Sequence, residues 1–245
     1  MGDYGGLFLF RDVLNRMRLL PSTAAFVLAA GIAAAQEPSA LDARVHGLKL
    51  PRQLPTCGLE AALLLVAKET GVHIGFERTT DCDGRKAMGF PEAYKPLELS
   101  DAAVLDGMPV KDVLARIAAL APDYDWAIME GVAVFRPSGA WSDPTSPLAA
   151  RVPAIRFADA PLGRVMSAIL NLPGPTGPSQ IISIDFQGGT VLEALNALVR
   201  SEAAMWYVSS DGQKLFVSVM QRTGGRGFSL SAPVAGLFSS RSPSF

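Results

Sequence analysis

The chain has 245 residues, 49% hydrophobic and 18% charged, which is enough for one large globular domain or two small ones. Its 22 lysine and arginine residues nearly balance 23 aspartate and glutamate residues, and they form no basic block. Binding of nucleic acid needs a basic surface that neutralises phosphates, so the composition argues against that class of function.

The N-terminal segment, residues 1–35, has the pattern of a secretory signal peptide. Three arginines, at positions 11, 16 and 18, precede a short apolar run that ends in alanines before Gln36. This order predicts cleavage near Ala35 and export from the cytoplasm. Translation that began at Met17 would also produce a compact signal, and an uncleaved anchor helix is the alternative. After cleavage we expect no segment that crosses a membrane.

The only two cysteines are Cys57 and Cys82. Export to an oxidising compartment permits a disulfide between them. Cys57 opens the first predicted helix and Cys82 follows the next predicted strand. In a right-handed β-α-β unit these two positions lie at the same edge of the sheet, so we predict a Cys57–Cys82 disulfide. Two unpaired thiols are the alternative.

The first half of the mature chain, residues 45–136, predicts two helices among strands. A short strand at residues 48–50 leads to a helix that buries one stripe and stops at Gly71. A strand follows at residues 72–76, then a surface loop and a further strand at 97–104. The second helix starts at Pro109, and a hairpin at 124–134 turns at Glu130 and Gly131.

Residues 137–151 are rich in proline, serine and glycine, which is typical of a linker, and we place a domain boundary there. The second half, residues 152–220, again predicts a strand, a helix, a strand, a helix and a hairpin. Its last helix begins at Thr190 and Glu193, which have the spacing of a capping box. Residues 221–245 are mainly glycine, serine, arginine and proline, and we predict a disordered tail.

The second helix and hairpin of the first half recur in the second half. Three pairs of residues mark the recurrence at offsets of 81, 81 and 80 positions: Val110 and Val191, Leu114 and Leu195, Trp126 and Trp206. Such a recurrence predicts two copies of one unit. We therefore predict an α+β fold of two tandem small domains, residues 45–136 and 152–220, each with two helices packed on a small mixed sheet.

In these two stretches the chain resembles the short N-terminal domain shared by secretins and by TonB-dependent receptors of the signal-transducing type. The first copy carries the resemblance in Leu59, Ala62, Leu63, Ala67, Thr70, Gly71, Val72 and Ile74, then in Gly107, Val110, Val113, Leu114, Ile117 and the hairpin. The second copy matches from Phe157 and Leu162 through Gly188, Val191, Ala194, Leu195 and Leu198. The resemblance implies a periplasmic βαββαβ fold that acts by contacting other proteins: an anti-sigma regulator for the receptors, inner-membrane machinery for secretins.

No set of side chains in the sequence predicts catalysis, a metal site or a cofactor. His46 and His73 are the only histidines, too few for a two-histidine zinc site unless both strands point inward together. Ser100 and Asp101 could complete a triad with His73, but no nucleophile elbow surrounds a serine. We therefore expect a protein that is not an enzyme and binds neither metal nor cofactor.

The expected function is contact with a partner protein. Each predicted domain ends in a hairpin whose strands can offer a free edge, and a free edge accepts a strand from a partner. The candidate edge residues are Val132, Val134, Leu215 and Val217. The partner would be a periplasmic or outer-membrane protein: a receptor, an anti-sigma regulator or a secretion component.

Two other interpretations remain open. A small-ligand or cell-wall binding protein would use the crevice between the two domains, with Trp141 as a contact. An enzyme would need polar side chains that converge across that crevice, and the sequence pattern does not reveal such convergence.

Overall fold

The computed structural model describes residues 40–48, 50, 53–54, 58–78, 97–98, 105–172, 180–201, 203–210, 213–221 and 228–238, all within one compact unit, Glu37–Phe245. The fold is a mixture of helices and strands, as the sequence predicts. Within the described stretches, no helix combines the length and the apolar character needed to cross a membrane.

The described helices are α1 Gly58–Thr70, α2 Val110–Ala119, α3 Leu162–Ile169, α4 Val191–Ser201 and α5 Val234–Leu237. The first six strands are β1 Gln53–Leu54, β2 His73–Glu77, β3 Leu97–Glu98, β4 Tyr124–Met129, β5 Val132–Pro137 and β6 Arg151–Val152. The remaining strands are β7 Ile155–Pro161, β8 Ile181–Phe186, β9 Gly189–Thr190, β10 Ala203–Ser210, β11 Lys214–Gln221 and β12 Phe228–Pro233.

The principal sheet has six strands in the order β12-β11-β10-β2-β5-β4, so strands of both sequence halves form one sheet. Strand β2 runs parallel to β5 on one side and to β10 on the other, and the remaining pairs are antiparallel. The expectation of a separate small sheet in each half is therefore wrong. The physical reason is that β2 presents hydrogen-bonding groups on both of its edges, and strands from different halves occupy them.

Helices cover both faces of this sheet. On β5, Val132 and Val134 belong to the apolar core that contains α3 and α4, whereas Ala133 and Phe135 belong to the core that contains α1 and α2. Because alternate residues of a strand point to opposite faces, the helices of the two halves lie on opposite sides of the sheet. The result is a three-layer arrangement with one core on each side. Three two-stranded sheets, β1-β3, β6-β9 and β7-β8, complete the described strands.

The segment predicted as a linker is packed against the protein. It contains two 3-10 helices, Ser138–Trp141 and Pro147–Ala149. Leu148 and Ala150 are buried, and the Ser146 hydroxyl accepts a hydrogen bond from the Leu148 amide. These contacts hold the connection between the halves in one conformation.

The prediction of a disordered tail over residues 221–245 is wrong for residues 228–238, which are ordered, and its other residues from 222 onward lie outside the described residues. Strand β12 pairs antiparallel with β11, and α5 follows it directly. Ala232 and Leu237 are buried, so this segment adds apolar surface to the core that contains α3 and α4. Serines alternate with the apolar residues of β12, and this makes the composition polar and hides the alternation of Leu230 and Ala232.

Candidate partner-binding edge of the central sheet

The structure moves the predicted edge residues to the interior of the sheet. Val132 and Val134 lie in β5, between β2 and β4, and Leu215 and Val217 lie in β11, between β10 and β12. All four side chains are buried. The prediction that these residues form free edges is therefore wrong, because β2 and β12 fill the outer sides of the two return strands.

The outer strands of the six-stranded sheet are β4 and β12. Natural edge strands are usually protected by lysine, proline or a bulge. Strand β12 alternates serine with apolar residues and ends at Pro233. Strand β4 has the sequence YDWAIM, contains neither lysine nor proline, and keeps an unbroken register with β5. Strand β4 therefore lacks lysine, proline and a bulge, and Asp125 is its one charged residue.

The turn of the β4-β5 hairpin fixes which backbone groups face outward. Glu130 and Gly131 both have positive φ, 51° and 81°, as a two-residue type I′ turn requires. In such a hairpin the flanking pair, Met129 and Val132, exchanges both of its hydrogen bonds, and every second pair does the same. The backbone N–H and C=O groups of Trp126 and Ile128 consequently point away from β5, where the described strands provide no neighbour.

The side chains beside these backbone groups are apolar and partly open. Ile128 is 50% exposed. Trp126 is half-buried and stacks on Phe135 of β5, with ring centroids 5.5 Å apart and planes 11° apart. An apolar residue at an edge gains from being covered, so this edge favours an occupant with apolar side chains.

The charges at the two ends of β4 differ. At the turn, Glu130 forms an ion pair with Arg200 at 2.8 Å. At the beginning of the strand, Asp125 is exposed and has no ion-pair partner among the described residues. Its cross-strand neighbour Arg136 turns instead to Glu77, at 2.6 Å from Nε to Oε2. Among the residues that the structure describes, no basic side chain therefore balances the acid at the start of β4.

The second half of the chain contains the corresponding edge in an occupied form. Helix α4 leads to the hairpin β10-β11, as α2 leads to β4-β5. The outer edge of β10 pairs in parallel with β2 from Met205 to Val208, and the carbonyl of Val208 accepts a 2.7 Å hydrogen bond from the amide of Arg78. At the equivalent position of β4, 80 residues earlier, stands Ile128. Val208 is 1% exposed and Ile128 50%, so the two edges differ in whether a strand covers them.

A second cluster of polar side chains surrounds the first 3-10 helix. Arg136 is buried, donates to Glu77, and donates from Nη2 to the Ser146 hydroxyl at 2.9 Å. Its guanidinium lies 5.5 Å from the ring centre of Trp141. The Nε1 atom of Trp141 is buried without a hydrogen-bond acceptor in the described part of the chain. Trp141 was the predicted ligand contact, and this orphaned donor is its notable feature.

Other sequence-predicted residues do not converge on a site. Cys57 and Cys82, Ser100 and Asp101 lie outside the described residues. His46 is exposed, with Nδ1 at 3.7 Å from Oδ1 of Asp106, and His73 begins β2. The described residues contain no group of three or more histidine, cysteine, aspartate or glutamate side chains that could hold a metal ion.

No protein-family model, no curated protein and no solved structure gives a significant match to this chain.

Proposed function

We propose that the protein is a non-catalytic interaction adaptor of the bacterial cell envelope that binds a partner protein by accepting one of its strands at the outer edge of β4. The observation that supports this function is the contrast between two equivalent hairpins. The edge of β10 is filled by β2, whereas no described strand pairs with the edge at Trp126 and Ile128.

Strand addition satisfies the unpaired backbone groups of an edge strand, and the alternate side chains of the added strand supply specificity. Strand β4 offers four consecutive residues, Asp125 to Ile128, equivalent to those with which β10 holds β2. The chain thus carries an internal example of the same edge in use. A protein that exposed this edge without a partner would risk pairing with unrelated chains.

The proposal also includes the organisation of the chain into two copies of one unit. We infer that residues 45–136 and 152–220 are two copies of a unit similar to the short N-terminal domain of secretins and TonB-dependent receptors. The recurrent helix and hairpin support this inference. The predicted signal peptide and the resemblance support a periplasmic location, with a receptor, an anti-sigma regulator or a secretion component as the partner.

The test compares two matched variants of exposed isoleucines. Ile128 on β4 is 50% exposed and Ile181 on β8 is 49% exposed, so a lysine at either position disturbs the fold equally little. A tagged protein, Ile128→Lys and Ile181→Lys are used to capture proteins from periplasmic extract. We expect a captured protein that Ile128→Lys loses and Ile181→Lys retains.

The captured protein is then purified and bound to the adaptor for amide hydrogen exchange. Strand addition at β4 predicts slowed exchange at the amides of Trp126 and Ile128. Equal capture by both variants, or unchanged exchange at these amides, would contradict the proposal.

The competing function is binding of a small ligand beside Trp141. The observation in its favour is the buried Nε1 donor without an acceptor among the described residues, next to the buried guanidinium of Arg136. Recovery of a muropeptide or another small molecule, without any protein, would favour this function. The variant Trp141→Phe, which removes the donor, would then weaken that recovery.

A further inference from the structure

We propose that the strand accepted by β4 runs parallel to β4 and places a basic side chain beside Asp125, followed by apolar side chains beside Trp126 and Ile128. This inference rests on the proposed function and adds the direction and the chemistry of the partner segment. It defines the segment as four consecutive residues: basic, apolar, any, apolar.

The direction follows from the occupied edge. Strand β2 runs parallel to β10, with Ile74 to Glu77 opposite Met205 to Val208. Position 205 corresponds to Asp125 by the offset of 80 residues, so the first partner residue lies beside Asp125 and the fourth beside Ile128. The outward carbonyl of Val208 accepts from the amide one residue beyond this ladder, Arg78. The outward carbonyl of Ile128 has no described strand beside it and can accept the equivalent bond from a partner.

The basic residue of the partner segment follows from the charges around β4. Asp125 is exposed, and the one arginine opposite it is committed to Glu77 and Ser146. At the other end of β4 the negative charge of Glu130 is already balanced by Arg200. A cross-strand lysine or arginine beside Asp125 therefore compensates the remaining charge, and a carboxylate there would be repelled. A partner segment with its basic residue at the other end, near the ion pair of Glu130 and Arg200, is disfavoured for the same reason.

The apolar residues follow from the α2 side of the sheet. Trp126 and Ile128 lie on the face that α2 covers, and Ile128 remains half exposed. Ala115 on α2 is also exposed. Its counterpart on α4, 81 residues later, is Asn196, which is fully buried over the occupied edge. Apolar side chains at the second and fourth positions of an occupant would lie on this face beside Trp126 and Ile128 and would cover the exposed apolar surface, a role that Gly75 and Glu77 of β2 do not have at the buried edge of β10.

The probe is an acetylated hexapeptide amide with the order threonine, lysine, valine, threonine, leucine, threonine. The control has the same six residues in reverse order. Both are titrated into the isotope-labelled protein to millimolar concentration, and the amide shifts of Trp126 and Ile128 are followed. We expect the forward peptide to bind about fivefold more tightly than the reversed one, because only the forward peptide pairs lysine with Asp125 in a parallel strand.

The orientation is read directly from a second version of the forward peptide, in which a nitroxide replaces the acetyl group at the N-terminus. A parallel strand broadens the amide of Asp125 more strongly than that of Met129. The variant Asp125→Asn should weaken the forward peptide about threefold and reduce its salt dependence, whereas Ile181→Lys should have no effect.

Each outcome bears on a definite statement. Tighter binding of the reversed peptide, or stronger broadening at Met129, overturns the direction and leaves strand addition at β4 intact. Shifts that avoid Trp126 and Ile128 overturn both this inference and the proposed function. The absence of shifts with either peptide overturns the proposed segment chemistry, while the exchange experiment with the captured partner still decides the function.

Discussion

The indole Nε1 of Trp206 donates a 2.9 Å hydrogen bond to Oδ1 of Asn196, and both side chains are fully buried. The same indole ring lies directly over Gly75, where a Cβ would stand 2.2 Å from Cζ2 of the tryptophan. Helix α4, strand β10 and strand β2 therefore meet at one residue. This contact joins the two sequence halves at the parallel pair of strands.

The first prediction concerns the hydrogen bond itself. Asn196→Ala should destabilise the protein by about 1 to 2 kcal/mol, because it leaves the buried indole N–H without an acceptor, while the loss of the asparagine Nδ2 donor, which has no acceptor among the described residues, offsets part of this cost. Trp206→Phe removes the donor and leaves the asparagine oxygen unpaired. Urea unfolding of both single variants and the double variant should give a coupling energy of about 1 kcal/mol. Strictly additive effects would show that the bond contributes nothing to stability.

The second prediction concerns the space over β2. Gly75→Ala should cost about 1 to 3 kcal/mol, because the new methyl group overlaps a fully buried ring that cannot move aside. The matched control is Gly139→Ala in the first 3-10 helix, where no atom lies within 4 Å of the added Cβ. Thermal unfolding of both variants measures the difference. Equal melting temperatures would mean that the ring shifts without cost.

Local features of the fold could be predicted from the sequence because their causes are local. Helix α2 follows Pro109, as expected, and Glu130 and Gly131 form the expected turn. The capping box is confirmed: Glu193 accepts from the amide of Thr190, whose hydroxyl in turn accepts from the amide of Glu193.

The pairing of strands could not be predicted in the same way, because it depends on contacts distant in sequence. The alternation of apolar residues in β2 indicates one buried face, yet the strand is buried on both. Gly75 was the overlooked signal, since a glycine inside a strand often marks a close approach of another group. The free edge was misplaced for the same reason: a hairpin pattern does not reveal which of its two strands receives a neighbour.

The third prediction concerns the ion pair between β2 and β5. The side chains of Arg136 and Glu77 are 6% and 16% exposed. Glu77→Gln should therefore cost about 3 kcal/mol, because it leaves a buried guanidinium without a charged partner. In the exposed pair of Arg156 and Asp185, 75% and 50% exposed, Asp185→Asn should cost less than about 1 kcal/mol. Similar losses of unfolding free energy for Glu77→Gln and Asp185→Asn in urea would contradict the role of burial.

The fourth prediction concerns the acid in the connection between the halves. The Thr145 hydroxyl and amide donate to Oδ1 of Asp143 at 2.7 and 2.8 Å, and they lower the pKa of this carboxyl. Because the pKa is lower in the folded state, the associated stability is present above the unfolded pKa and is lost as the pH falls through the folded pKa. Thr145→Val should raise the pKa of Asp143 in a carbon-13 titration. Thr145→Ser, which keeps the hydroxyl, should leave it in place.

The last prediction separates binding at β4 from folding. Ile128 and Val208 occupy equivalent positions in the two hairpins, but of these two residues only Val208 has a described strand beside it. Ile128→Lys should change the free energy of unfolding by less than about 0.5 kcal/mol, because it alters an exposed side chain. The smaller change Val208→Ala should cost about 2 kcal/mol, because it leaves a cavity in the core. Urea unfolding measures both free-energy changes, provided that the dependence of the unfolding free energy on urea concentration keeps its slope. A loss above about 1 kcal/mol for Ile128→Lys would mean that this residue supports the fold, and its effect on partner capture could then no longer be assigned to an open edge.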